Sequence, residues 1–153
     1  GKGAEERGQA QAIAESLKLF SDLPTIIITI VLSEGGSGGA LALSVSDYLI
    51  MCEYATYSIL SPEGFASILF KDDTRVMEAS ELMELTAHDL HQKGIVDQVI
   101  KEHPLGMHHH FADVVRQLDL ALMEQLSRLG KYKLIQLLTK RQNKFRKLGS
   151  YHG

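Results

Sequence analysis

A layered α/β domain is the fold class predicted by three features of this 153-residue sequence. The run Thr25-Ile26-Ile27-Ile28-Thr29-Ile30-Val31-Leu32 is apolar and β-branched almost without interruption, the pattern of a buried strand in a parallel sheet. The stretch from Ser33 to Leu43 fuses a strand end, the glycine turn Gly35-Gly36-Ser37-Gly38-Gly39 and a helix start. Downstream, Ser61-Pro62-Glu63-Gly64 repeats that strand-to-helix logic, and alternating strands and helices place sites at strand ends, with both turns facing one pocket.

The remaining elements follow in order. Ala10, Ile13, Ala14, Leu17 and Phe20 recur at helical spacing between Ala4 and Ser21, and Leu23-Pro24 ends that helix. A helix opened by Ser37 runs to about Ser46. Tyr48 to Glu53 and Ala55 to Leu60 read as short strands split by a polar kink. Ser61 is an N-cap with Pro62 in the first helical position, opening a helix to about Phe70. After the polar loop Lys71-Asp72-Asp73-Thr74, Val76, Leu82, Leu85 and Leu90 give Arg75 to Lys93 a helical pattern that Gly94 stops. Ile95 to Ile100 is a strand, Glu102 to His110 a loop, and the rest from Phe111 is helix, with Leu118, Leu122, Leu126 and Leu129 on one face before Gly130.

Composition bounds the function classes only loosely. With 44% hydrophobic and 23% charged residues and a net charge of -3, global charge selects no partner. The single cysteine, Cys52, forms no internal disulfide, fits a reducing cytoplasmic setting and excludes a Cys-x-x-Cys metal ribbon. No run approaches the roughly 18 apolar residues of a bilayer span, and no basic-then-apolar leader opens the chain, so neither secretion nor a membrane role is expected. The abrupt helical start at Gly3-Ala4-Glu5-Glu6 reads as the continuation of something upstream.

The glycine turn sets the chemistry to be decided. A helix beginning in glycine offers backbone N–H groups unobstructed by side chains, so an oxygen carrying negative charge can sit on them. A P-loop needs Gly-Lys followed by Ser or Thr, and no Lys follows here; a dinucleotide fingerprint begun at Gly36 and Gly38 puts Leu41 where only a small residue fits. Nucleotide phosphates are thus disfavoured. Gly-x-Ser-x-Gly is satisfied with Ser37 at its centre, the form of a nucleophile elbow, but no acid and histidine downstream stand out as its partners. Three roles stay open at this point: Ser37 as nucleophile, the backbone as an oxyanion hole, and glycines that only let a helix pack on a sheet.

Other polar clusters carry less. His108-His109-His110 are adjacent and point in different directions, while His88 and His91 lack a cysteine or carboxylate set, so no metal site is expected in this chain. Lys131, Lys133, Lys140, Arg141, Lys144, Arg146 and Lys147 form an acid-free basic tail that reads first as a solvated face, and otherwise as a surface for nucleic acid, an acidic partner or a nucleotide-bearing ligand. Aromatic interleaving is confined to Tyr132 and Phe145, and nucleic acid is not the expected partner.

Three blocks in order, Gly3-Ala4-Glu5-Glu6-Arg7-Gly8-Gln9, Glu34 to Ala42 and Ala55 to Gly64, resemble the carboxyltransferase alpha-subunit family of multisubunit bacterial acetyl-CoA carboxylase. The likeness covers residues 1–105 well and the final helices, Arg141 to Tyr151 included, more loosely. It implies a crotonase-like (ClpP/crotonase) fold of repeated β-β-α layers over 1–105, with a helical extension over 106–153 and earlier β-β-α units upstream of this start, so that the chain corresponds to the C-terminal part of the subunit. It also implies a beta subunit bearing zinc and acetyl-CoA, a biotin carboxyl carrier protein presenting carboxybiotin, an α2β2 assembly, and malonyl-CoA as product in fatty acid synthesis. On that resemblance Gly38 and Gly39 supply oxyanion donors to the biotin ureido oxygen, Ser37 is a small turn residue, and Gly35, Gly36, Ser61, Pro62, Glu63 and Gly64 shape the substrate pocket. Familiar members of the family often carry Cys where Phe65 stands and Gly-Gly-Ala-His-Arg where Gly106-Met107-His108-His109-His110 stands. Without upstream units, sheet edge and apolar helix face are expected to need a partner chain or dimer. A serine hydrolase using Ser37 and a noncatalytic assembly module are the alternatives.

Overall fold

The computed structural model describes residues 2–149; Gly1 and residues 150–153, among them Tyr151 of the loosely matching tail, lie outside the described residues. Helix α1 (Lys2–Glu6) is followed by α2 (Gln9–Asp22), with Gly8 between them at φ 84. The sequence predicts one helix here. A glycine in the left-handed region breaks it, because only glycine enters that region without steric cost.

Two β-β-α units come next. The first is β1 (Ile28–Val31), β2 (Glu34–Gly36) and α3 (Ser37–Leu43); the second is β3 (Tyr48–Cys52), β4 (Thr56–Ser58) and α4 (Pro62–Phe70). The longer strands of the two units pair with one another, as do their shorter strands. One parallel sheet has the order β1-β3-β5, with β5 at Gln98–Ile100, and the other joins β2 to β4 with Gly36 opposite Ser58. That second pairing brings the starts of α3 and α4 side by side at one end of the strands.

Strand β3 is central, and Leu49, Ile50, Met51 and Cys52 are all buried, as a strand covered on both faces requires. The predicted buried strand at Thr25 to Leu32 is shorter and more open than expected. Only Ile28–Val31 pairs, and of these only Val31 is buried, because β1 is an edge strand with one side uncovered. Leu32 and Leu43 beside it are exposed.

The predicted helix from Arg75 to Lys93 is two helices, α5 (Val76–Met83) and α6 (Ala87–Gln92). Glu84 turns left-handed at φ 46, and the Thr86 side chain caps α6 by accepting from the Asp89 N–H. The loop before the last helices contains a 3₁₀ turn at Met107–His109. Helices α7 (Phe111–Leu129) and α8 (Leu134–Lys147) complete the chain, and Val114 and Ala121 of α7 belong to the same core as Ile50 and Val96. No helix among the described residues is long and apolar enough to cross a membrane.

Candidate functional site

The glycine turn is shaped by close approach. A Cβ added at Gly35 would lie 2.7 Å from Cδ2 of Tyr57 on the paired strand β4, so the ring can rest on this backbone only if the residue is glycine. Ser37 then starts α3 at φ 59, a left-handed conformation for a residue with a side chain. No side chain caps α3, which leaves the N–H groups of its first turn, those of Gly38 and Gly39 included, without a side-chain acceptor. Gly38 backs onto helix α2, where an added Cβ would stand 3.4 Å from Ile13 Cγ2, whereas at Gly39 it would meet nothing within 4 Å.

The second turn is closed on itself. Ser61 Oγ accepts from the Gly64 N–H at 3.2 Å, and Pro62 occupies the first turn, as the sequence predicts. The Glu63 carboxyl is held below its ordinary range by its own backbone N–H and by the Ser61 hydroxyl.

Between the two turns lies an open cavity of about 590 Å³, with Gly35, Gly36 and Ser37 on one wall and Ser61 and Pro62 on the other. The two turns do face one pocket. Gly38, Gly39, Glu63 and Gly64 sit outside its lining, in the first turns of α3 and α4. Ser58, Ser80 and Glu34 add polar groups, but no histidine among the described residues lines this cavity, so Ser37 Oγ has no imidazole base there. A neighbouring cavity of about 490 Å³ shares Gly35 and Gly36 and runs along the open edge of β1.

The histidines flagged by sequence have other tasks. His88 Nε2 lies 3.3 Å from Glu53 Oε1, and His91 Nδ1 donates to the Val96 carbonyl at 2.9 Å. Glu53 also accepts from the Glu102 N–H and Lys101, and this ties the ends of β3 and β5 together. Those contacts, the backbone one foremost, hold its carboxyl down at about 2 from an ordinary 4.5. His103, His108, His109 and His110 cluster, with the rings of His103 and His110 4.6 Å apart. His109 has its pKa lowered by desolvation first and then by the charges of the other three. No group among the described residues is arranged to hold a metal ion.

The feature that sequence reasoning misses is the use of the basic tail. Arg141 is 1% exposed, so the expectation of a wholly solvated face fails there. Its Nε and Nη2 donate to Asp47, and its remaining N–H groups donate to the carbonyls of Phe20, Leu23 and Thr25. All five guanidinium donors are thereby satisfied. Lys144, one turn on, pairs with Asp97 at 2.5 Å. Asp47 and Asp97 directly precede β3 and β5, and each carboxylate accepts from a backbone N–H on the neighbouring strand's line, Ile27 for Asp47 and Leu49 for Asp97. Residues three apart on a helix are neighbours, as are adjacent parallel strands about 4.8 Å apart, so the two cations meet the two strand feet in register.

The family model described as acetyl co-enzyme A carboxylase carboxyltransferase-like matches residues 1–149. The chain belongs to that family. It is 51% identical over 150 residues to the acetyl-coenzyme A carboxylase carboxyl transferase subunit alpha of Clostridium botulinum (strain Eklund 17B / Type B), a match covering 98% of this chain and 55% of that protein. The subunit of the same name from Streptococcus pyogenes serotype M5 (strain Manfredo) is 51% identical over 147 residues, covering 96% of this chain and 56% of that one. The chain thus spans about half the length of these curated relatives.

Among solved structures, the transcarboxylase 12S core with methylmalonyl-coenzyme A and methylmalonic acid bound superposes with a TM-score of 0.62 at 25% identity, covering 81% of this chain and 24% of that one. A Pseudomonas malonate decarboxylase hetero-tetramer in complex with coenzyme A gives 0.67 at 16% identity, covering 92% and 56%, and speaks for the fold alone. The crotonase-like carboxyltransferase architecture, with its parallel β-β-α units, is therefore the fold of this acetyl-CoA carboxylase carboxyltransferase-family chain.

Proposed function

We propose that this chain supplies the biotin side of an acetyl-CoA carboxylase carboxyltransferase. In this reading it works with a beta subunit that bears the zinc ribbon and acetyl-CoA, and with a carrier protein that delivers carboxybiotin, to form malonyl-CoA for fatty acid synthesis. The observation that carries the reading is the cavity between the two helix starts, with Gly35, Gly36 and Ser37 facing Ser61 and Pro62, in a chain of this family.

The residues present fit a urea-type ligand. The first turn of α3 has no side-chain cap, and at Gly36 no Cβ occupies the open space beside the wall, so a flat polar group can approach backbone directly. Biotin, when bound, supplies the transferable carboxyl group and a ring nitrogen that takes up a proton.

The chain's own part is electrostatic. The N–H groups of Gly38 and Gly39 hold the negative charge that grows on an oxygen placed at the head of α3; one such donor is worth about 3 kcal/mol in a water-poor site. Ser61 and Pro62 fix the opposite wall, and Ser37 stays a small turn residue. The exposed edge around Leu32 and Leu43 is covered by a partner chain in an α2β2 assembly in the cytoplasm.

Use of Ser37 as a hydrolase nucleophile is the second reading, favoured by its φ of 59, which is reminiscent of a strained elbow. It lacks a base in the cavity. Mixing the chain with beta subunit, carboxylated carrier and acetyl-CoA separates the two: malonyl-CoA appears only when all components are present, whereas a hydrolase releases acyl groups from an ester with no partner at all. A chain serving only assembly supports neither reaction.

A further inference from the structure

The basic tail is only partly used in holding the fold. A second cavity, of about 430 Å³, is lined by Asp47 and Asp97 and by the cations Arg128, Lys140, Arg141, Lys144 and Lys147. It lies at the feet of β3 and β5, at the opposite end of the parallel strands from the glycine turn that follows β1. The two carboxylates are already answered by Arg141 and Lys144.

Arg128 and Lys140 are surplus to that pairing. Among the described residues neither makes an ion pair: Arg128 donates through Nε to Gln125 at 2.6 Å and lies over the Tyr48 ring at 5.1 Å, and the Lys140 ammonium stands 4.7 Å from the Tyr132 ring centre. The terminal nitrogens of Arg128 make no hydrogen bond within the described residues, and the ring contact leaves the Lys140 charge unneutralised. Gathering like charges around one concavity raises their mutual repulsion and concentrates positive potential there. The Arg141 donors are exhausted, so a ligand would be taken by the outer groups, namely the Arg128 fork, the Lys140 ammonium and the Asn143 amide beside the Tyr132 ring.

We propose that this cavity binds a small phosphate-bearing anion carrying at least two phosphoryl groups. Two surplus cations of different shape suit such a ligand better than a single carboxylate, which would neutralise only one of them. A planar guanidinium fork and a point-charge ammonium are also the two usual ways of holding phosphoryl oxygens.

Calorimetric titration of the full chain with sodium pyrophosphate, set against sodium chloride of matched ionic strength, tests this. Saturable binding is expected in the wild type and unchanged in Lys131→Gln, a basic residue outside the cavity. Lys140→Gln should weaken it by about tenfold, the loss of one charge-assisted contact. Arg128→Lys, which keeps the charge but removes the fork, should weaken it less than Arg128→Gln. Lys140 is exposed, and among the described residues its ammonium makes no ion pair and stands over the Tyr132 ring, so its variant keeps the fold. The proposal is overturned by heats no larger than those of chloride, by equal weakening in Lys131→Gln and Lys140→Gln (the mark of a diffuse basic surface), or by saturable uptake of a single-stranded oligonucleotide with none of pyrophosphate.

Discussion

Arg141 of α8 and Asp47 at the foot of β3 form a buried ion pair of 2.8 Å, their side chains 0% and 2% exposed, although 94 residues separate them in the chain. The same guanidinium also gathers the carbonyls of Phe20, Leu23 and Thr25, so one side chain ties the last helix to the α2–β1 junction and to the central strand.

Removing one partner of such a pair strands the other. Arg141→Met should lower unfolding free energy in urea by about 3–5 kcal/mol, because Asp47 keeps a buried charge and three carbonyls lose their donor. Adding Asp47→Asn to that background should recover part of the loss, since the uncompensated charge is gone. If both single variants and the pair unfold at the wild-type midpoint, the clamp has no energetic role.

Glu53 gives the fold a defined acid sensitivity. Its folded value of about 2 lies below the ordinary 4.5, so its contribution is complete above the unfolded value and is lost as pH falls from about 4.5 toward 2. Melting temperature recorded down that window should fall less steeply in Glu53→Gln than in the wild type, with the Gln variant the less stable of the two at pH 7. Parallel curves would show that the ties to Glu102 and Lys101 carry no linkage.

The two halves of the glycine turn should respond differently to a single methyl. Gly35→Ala must displace the Tyr57 ring, which lies 2.7 Å from the new Cβ, and should cost about 1–3 kcal/mol. Gly36→Ala meets nothing within 4 Å and should change stability far less. Equal thermal shifts for the two would mean that Tyr57 does not rest on this backbone.

Much of this arrangement is legible in the chain itself. The buried run Leu49 to Cys52, the Ser61-Pro62 cap and the repeated strand-to-helix logic foretell the parallel units and the shared cavity, because each depends on short-range pattern. Breaks that leave the apolar spacing intact are harder. Val76, Leu82, Leu85 and Leu90 read as one helix, yet Glu84 interrupts them and Thr86 restarts the chain, a cap signalled only by Thr86 and Asp89 at capping-box spacing. Gly8 hides in the same way between α1 and α2. The duty of Arg141 cannot be seen in a charge run, because it exists only once β1, β3 and β5 have set Asp47 and Asp97 beneath α8. Glu63 and Gly64, expected to shape the pocket, lie outside its lining, as do Gly38 and Gly39, the expected oxyanion donors; Gly38 rests against Ile13, and the N–H groups of this turn are the part to test.

Malonyl-CoA formation by the complex reconstituted with beta subunit, carboxylated carrier and acetyl-CoA, compared between Ser37→Ala and Gly39→Val, is the most direct test. A Cβ added at Gly39 meets nothing within 4 Å, and the melting temperature recorded beside the rate separates a blocked site from a damaged fold. The backbone reading predicts that Ser37→Ala keeps most of the rate, while Gly39→Val loses roughly a hundredfold in kcat with an unchanged melting temperature. Abolished transfer in Ser37→Ala, or a wild-type rate in Gly39→Val, would contradict it.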